Sequence, residues 1–334
     1  MSLSARLFRL FGIVSLGLAL TSCFGLDSAL QTGSTGAGRS ALRDEPTLLV
    51  AALRRPAGDA RVAPFFTADR GAGLVFASAR LAPPAASSLA GSLVSGSSQW
   101  SVRTIERLAT AEAGRALAAA ASGRDLLLYV HGYAETFESA AAGAAGLADA
   151  IGFQGRVALF SWPSGGRLIS YAYDRESALW SRDGLAEVLR AMAANPAAGK
   201  VHIIAHSMGA FLTLESLRQL GAAGGDQTLA RIGAVVLASP DIDIDQFEAA
   251  LKREPALASH ITIISATNDR ALAVSARLAG GITRVGASER DRLVALGVRV
   301  ADASEFGWGV LRHDLFYSNA DVRAVIARAI ARAP

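Results

Sequence analysis

The sequence predicts an α/β fold built on a mostly parallel central sheet with helices on both faces. Three observations carry this reading. First, short and continuously apolar segments recur: DLLLYV (125–130), RVALFSW (156–162), KVHIIAH (200–206), IGAVVLAS (232–239), HITIISAT (260–267) and, more weakly, LGVRVAD (296–302). Second, stretches of helical pattern separate them, near 135–150, 171–193, 208–220, after 245, 270–278 and 319–332. Strands apolar on both faces that alternate with helices belong to a parallel sheet covered on both sides. Third, polar and glycine residues follow each strand: HGY, PSGG, SMG, PDID, NDRA and, after a longer loop, RHDLFYS. In such sheets chemistry collects at the carboxyl ends of the strands.

The elements upstream are less regular. TLLVAALR (47–54) and GLVFASAR (73–80) read as strands. LAPPAASSLAGSLVSGSS (81–98) reads as a loop, from its proline pair and small polar residues. TIERLATAEAGRALAAAA (104–121) reads as a helix, with Ile105, Leu108 and Leu117 on one side. No internal repeat is visible.

Composition narrows the class. Of 334 residues, 51% are hydrophobic and 19% charged, which supports a large core and excludes a disordered chain. The net charge of +4 is small, and no Lys/Arg block or aromatic-interleaved basic patch occurs, so nucleic acid is not an expected partner.

The N-terminus, MSLSARLFRLFGIVSLGLALTSC, opens with Arg6 and Arg9 and continues into an apolar run from Leu10 to Leu20. That run is too short to span a bilayer and has the form of a secretory signal. Its end, LTSC, resembles the lipobox of bacterial lipoproteins, which implies lipidation of Cys23. Three segments are therefore expected: a signal peptide at 1–22, a lipidated Cys23 with a flexible tether to 45, and one domain at 46–334. QTGSTGAGRS gives the tether its character. Cys23 is the only cysteine, so its acylation leaves no thiol for a disulfide, a metal or a nucleophile. Phe24, with no Asp in that place, resembles the default signal for the outer membrane, facing the periplasm.

A serine nucleophile needs a base, an acid that orients the base, and N–H donors for the oxyanion. VHIIAHSMGAFLTLESL (201–217) runs from strand to helix through Ser207, with small residues two before and two after it, Ala205 and Gly209. This A-x-S-x-G differs from the usual G-x-S-x-G only in its first small residue. There are five histidines. His202 lies within a strand, His206 precedes the serine, His260 begins a strand and His131 belongs to HGY. His313, in the loop before the last helix, is the expected base, in the chain order Ser…Asp…His. The acid is Asp269, after HITIISAT, or alternatively Asp241, after AVVLASP. The oxyanion donors are the N–H of Met208 and that of Tyr133. Gly132 allows close approach in that loop, and His131 supports it by hydrogen bonds. The DIDID run is a loop with a helix cap, since Gln246 and Lys252 stand where a calcium loop needs Gly and Glu. No metal or other cofactor is expected.

LLLYVHGYAETFESAA, VALFSWPSGG, YAYDRESA, VHIIAHSMGAFLTLESL, VVLASPDID and ISATNDRALAVSARL resemble, in order, the motifs of a bacterial α/β-hydrolase family of esterase/lipase type, long carried as a domain of unknown function. APFFTADRG is similar to its N-terminal strand, and the resemblance covers roughly 64–325. It implies an α/β-hydrolase fold with Ser207 as nucleophile, Asp269 as acid and His313 as base. One departure is Tyr133, where relatives commonly have Asn. In YAYDRESA, Asp174 and Arg175 are expected to pair on the helix surface, with a place at the pocket border as the alternative. The expected activity is hydrolysis of a small-molecule or lipid ester through an acyl-enzyme, on a protein held to the membrane by its lipid. The alternatives are an amidase with the same triad and a non-catalytic envelope binding protein.

Overall fold

The computed structural model describes residues 40–58, 60–84, 100–113, 123–167, 169–196, 198–223, 226–304 and 319–334. The expected signal segment, Cys23, most of the tether and His313 lie outside the described residues. Among those described, nine strands form one sheet: β1 (Thr47–Pro56), β2 (Phe66–Ala82), β3 (Ser101–Leu108), β4 (Leu126–Val130), β5 (Arg156–Ser161), β6 (Val201–His206), β7 (Ile232–Ala238), β8 (Ile261–Ser265) and β9 (Arg299–Asp302). Their order is β3-β2-β1-β5-β4-β6-β7-β8-β9. The β1–β2 and β2–β3 pairs are antiparallel, and every pair from β1–β5 onward is parallel.

The apolar runs are strands because both of their faces are covered. Every residue of β4, β6, β7 and β8 is buried. Alternate residues enter opposite cores, as the pleat requires. Leu126, Leu128, Val130, Ile203 and Ala205 pack with the helices Arg182–Ala194, Met208–Ala222 and Ile244–Arg253. Leu127, Tyr129 and Ile204 pack with the helices Phe137–Ala150 and Ala320–Ala331.

Connectivity places the site. From β4 the chain moves outward to β5, then returns past β4 to β6. The connections diverge there, and the carboxyl ends of β4 and β6 border the crevice in which such sheets bind ligands.

Several expectations are corrected. Residues 101–108 form β3, the edge strand, and not the start of a helix. Val102, Thr104 and Ile105 suit a pleated surface. Arg103, Glu106 and Arg107 keep that edge charged, and only Ile105 is buried. The helix begins later, at 110. The apolar spacing of Ile105 and Leu108 fits either period, and pairing with β2 decides between them. β2 starts at Phe66, earlier than expected. The long helix at 171–193 is two helices, Tyr171–Trp180 and Arg182–Ala194, that meet at Ser181. The tether ends before 45: Ser40 and Arg43 donate to Asp149 Oδ1 at 3.0 and 2.7 Å, and the Ala41 N–H reaches Phe153 O.

Candidate active site

Ser207 stands on the sharp turn between β6 and the helix Met208–Ala222, with φ 51° and ψ −120°. A non-glycine residue there costs about 1–3 kcal/mol and must be held by its surroundings. The Ser207 N–H donates to Ala238 O at 2.9 Å, and Ser207 O accepts from the N–H groups of Ala210 and Asp241. The strained turn is thus tied to β7 and to the loop after it. The helix leaves at once, at a glycine. A Cβ at Gly209 would lie 2.3 Å from His131 O and 2.7 Å from Val130 O. Only a bare Cα lets the helix start against the end of β4.

The loop after β4 closes on the same turn. A Cβ at Gly132 would lie 2.6 Å from His206 Nδ1 and 3.3 Å from Ser207 Cβ. His131 is fully buried, and its ring stacks on Trp162 at 5.0 Å between centroids. Trp162 Nε1 donates to His131 O at 2.8 Å. Burial, with Arg54 nearby, pushes the imidazole pKa down to about 3, so the ring is neutral at working pH. Its Nδ1 is 2.8 Å from Gly132 O. A carbonyl only accepts, so Nδ1 carries the proton and donates. That bond fixes the peptide plane between Gly132 and Tyr133. In a trans peptide the Tyr133 N–H then points the opposite way from that carbonyl. The Tyr133 ring packs edge-on against Tyr171 at 5.6 Å.

The two candidate acids differ in their surroundings. Asp241 is buried, ion-paired with Arg284 at 3.0 Å, and hydrogen-bonded by Ser275 Oγ at 2.6 Å and Tyr171 OH at 3.0 Å. Both of its oxygens are engaged. Asp269, also buried, caps the helix Arg270–Leu278: its Oδ1 accepts from the N–H groups of Ala271 and Leu272. The chain that leads toward His313 departs from β9 stitched to the segment just before Asp269. Ala303 N–H donates to Ser265 O, Thr267 N–H to Ser304 Oγ, and Asn268 Nδ2 to Ser304 O.

The other histidines have structural partners. His202 Nδ1 accepts from Ala234 N–H and its Nε2 faces Asp125 Oδ2 at 3.3 Å. His260 Nδ1 donates to Gly233 O. The His206 ring lies against Gly132. Asp243 caps the helix Ile244–Arg253, as the helix-cap reading of DIDID expects. Among the described residues no group of three His, Cys, Asp or Glu is placed to hold a metal.

Asp174 and Arg175 do not pair on the surface. Asp174 is fully buried and turns inward, where it accepts from the N–H groups of Ala134 (3.1 Å) and Gly165 (2.6 Å) and from Ser164 Oγ. Arg175 lies over the Phe211 ring and donates to Asp241 O. Positions 171, 174 and 175 share one helix face, and that face is covered. Sequence reasoning missed Arg54 and Arg284 altogether. Both are buried, and their partners are remote in the chain.

The family model described as an alpha/beta hydrolase of unknown function (DUF900) matches residues 109–330. An uncharacterized protein of Nostoc sp. is 38% identical over 61 residues, which is 18% of this chain and 16% of that protein. Among solved structures, a putative hydrolase from Agrobacterium vitis is 15% identical, covering 83% of this chain and 100% of its own, with a TM-score of 0.40. A lipase-esterase related protein from Clostridium acetobutylicum is 13% identical over 62% of this chain and 94% of its own, at 0.37. A Pyrobaculum calidifontis esterase is 16% identical over 62% and 75%, at 0.32. Likeness at this level identifies neither a substrate nor site residues.

Proposed function

We propose that this chain, which belongs to the family of alpha/beta hydrolases of unknown function, is a serine hydrolase that cleaves an ester through an acyl-enzyme. Ser207 attacks the carbonyl. His313 takes its proton and returns it to the leaving group, and Asp269 holds the imidazole tautomer. The N–H groups of Met208 and Tyr133 stabilise the oxyanion. The observation that carries this reading is the conformation of Ser207, a non-glycine residue at φ 51° between a buried strand and a helix start. Nothing in packing alone needs a serine there, and the strain is sensible where a hydroxyl must be presented. Asp269 is favoured over Asp241 because Arg284, Ser275 and Tyr171 already occupy Asp241. No cofactor takes part. The protein is anchored through lipid at Cys23, on the outer membrane facing the periplasm, so its substrate is a small-molecule or lipid ester of the envelope.

The test treats the full chain, in mild detergent, with a fluorophosphonate and weighs it intact, beside Ser207→Ala and His313→Ala. One adduct on the wild type and none on either variant is the expected result. A folded wild type that takes no adduct overturns the reading. Expression of Cys23→Ala in a Gram-negative host should move the protein from the membrane to the soluble fraction. An unchanged distribution removes the anchor.

A further inference from the structure

Arg54 lies in β1 and is buried, yet among the described residues no carboxylate is within ion-pair distance of it. Its Nε donates to Ser161 Oγ at 3.0 Å, its Nη1 to Ser164 O at 2.9 Å and its Nη2 to Glu135 O at 2.7 Å. Gly71 packs closely on the backbone of this stretch: a Cβ there would stand 3.0 Å from Arg54 O, at a register irregularity between β1 and β2. Asp174 is the foremost of the carboxylate charges that act on Arg54, ahead of Glu138 and Glu135. It too is buried, and its acceptors take Ala134 N–H, Gly165 N–H and Ser164 Oγ. The two charges offset each other across two loops, 132–136 and 162–165, instead of touching. Apart from a longer bond from Arg54 Nη1 to Thr67 O at 3.4 Å, every side-chain hydrogen bond of the pair falls on those loops or on Ser161, at the strand end that leads into the second.

The 132–135 backbone is pinned peptide by peptide. Gly132 O is held by His131, Ala134 N–H by Asp174, Glu135 N–H by Ser164 Oγ and Glu135 O by Arg54. Ala134 itself has φ 59°, a left-handed conformation that costs a residue with a Cβ about 1 kcal/mol or more. The bond from its N–H to Asp174 offsets that cost. Tyr133 sits directly between two of these pins, Gly132 O and Ala134 N–H.

We infer that Asp174, with Arg54 across the loops from it, is the positioning device of the oxyanion loop. It touches no reacting atom. Its role is to hold the Tyr133–Ala134 backbone so that the Tyr133 N–H is aimed before the oxyanion forms. Preorganised donors cost no reorganisation during reaction, and a displacement near 1 Å costs about a hundredfold in rate. This rests on the serine-hydrolase reading above.

Asp174→Asn keeps the shape but turns one oxygen into an NH2 that meets a donor, and it removes the first of the carboxylate charges that act on Arg54, leaving Glu138 and Glu135. On the full chain, with active sites titrated by fluorophosphonate, kcat for a p-nitrophenyl ester should fall about ten- to a hundredfold. KM should stay within about threefold. Affinity for an aryl boronic acid, which forms the tetrahedral adduct, should fall in proportion to kcat/KM, while affinity for an unreactive substrate analogue is unchanged. Wild-type kcat per titrated site, with only a lowered melting temperature, overturns the inference. If Asp174→Asn does not fold, Ser164→Ala decides: a drop of about three- to tenfold in kcat with matching loss of boronate affinity supports the inference, and wild-type values refute it. A wild type that takes no adduct and hydrolyses no ester fails the serine reading, and the positioning role falls with it. An active wild type with unaffected variants fails the positioning role alone.

Discussion

Gly209→Ala tests the geometry at its tightest point. The added carbon would stand 2.3 Å from His131 O, 2.7 Å from Val130 O and 3.0 Å from His131 C. Real Cβ atoms essentially never come closer than 3.0 Å to such neighbours, so the helix must retreat by about 0.7 Å even to reach that limit. No side chain can swing aside, because all three atoms are backbone at the end of β4, whose residues are all buried. Overpacking of this kind costs about 1–3 kcal/mol. At about 2 °C per kcal/mol for a chain of this size, the melting temperature should drop by roughly 2–6 °C. The retreat also carries Met208 N–H and Ser207 away from the 131–133 loop, so ester turnover and the rate of fluorophosphonate labelling should fall about a hundredfold. Gly73→Ala is the control, since a Cβ there meets nothing within 4 Å, and it should change stability by no more than about 0.5 kcal/mol. A Gly209→Ala protein with wild-type melting and wild-type labelling would refute the argument, because the turn would then have room that the structure denies it.

Asp269→Asn should lower kcat by about 10⁴-fold while the fold loses only about 1 kcal/mol of capping. Asp241→Asn should instead destabilise by about 3–5 kcal/mol, because it strands buried Arg284, and should still label per folded molecule; the reverse pattern in labelling and urea unfolding would exchange the two roles. His131→Asn tests the neutral imidazole. The folded ring stays unprotonated down to about pH 3 while the unfolded one takes a proton below 6.5. The unfolded state therefore binds more protons in that window, and stability is lost as pH falls, at up to about 1.4 kcal/mol per unit. Urea unfolding at pH 7, 5.5 and 4.5 should show a shallower acid decline in the variant, whose amide can still donate to Gly132 O, and parallel curves would contradict the burial argument. Tyr171→Phe removes one of the bonds to Asp241 but leaves Arg284 and Ser275 in place. It should cost about 1 kcal/mol in thermal unfolding and leave kcat within about twofold, and a larger kcat loss would put Tyr171 in the machinery itself.

What was legible in the sequence was local. The apolar runs declare themselves as buried strands because neighbours in the chain share one environment, and Ser207 with Gly209 marks a strand-to-helix turn within five residues. β3 was misread because Ile105 and Leu108 satisfy either periodicity, and only pairing with β2, from elsewhere in the chain, selects the strand. The buried charges were illegible for the same reason. Arg54 meets its counter-charge on the far side of two loops, and Arg284 reaches back to Asp241. In isolation each is an ordinary surface-type residue. Burial lowers the Arg54 pKa to about 10, the mark of a guanidinium taken out of water that composition cannot show.

Arg54 with Asp174, which do not touch, and the ion pair of Arg284 with Asp241 together explain the place of YAYDRESA in the fold. In sheet order β6 lies between β4 and β7, so the serine turn has one loop on each side, 131–136 and 239–243. A buried arginine secures each: Arg54 on the first, Arg284 on the second through Asp241. The helix Tyr171–Trp180 reaches both. Asp174 holds the first loop by Ala134 N–H, while Tyr171 OH and Arg175 hold Asp241 of the second. One helix face, at spacings of three and four residues, thus spans the turn from both flanks. An ion pair sealed in a protein is weak evidence for stability, since apolar residues of the same volume often serve as well. What apolar residues cannot do is bond to chosen backbone N–H and C=O groups. The buried charges here are arranged to fix peptide orientation, and peptide orientation is what an oxyanion site needs and a hydrophobic core does not.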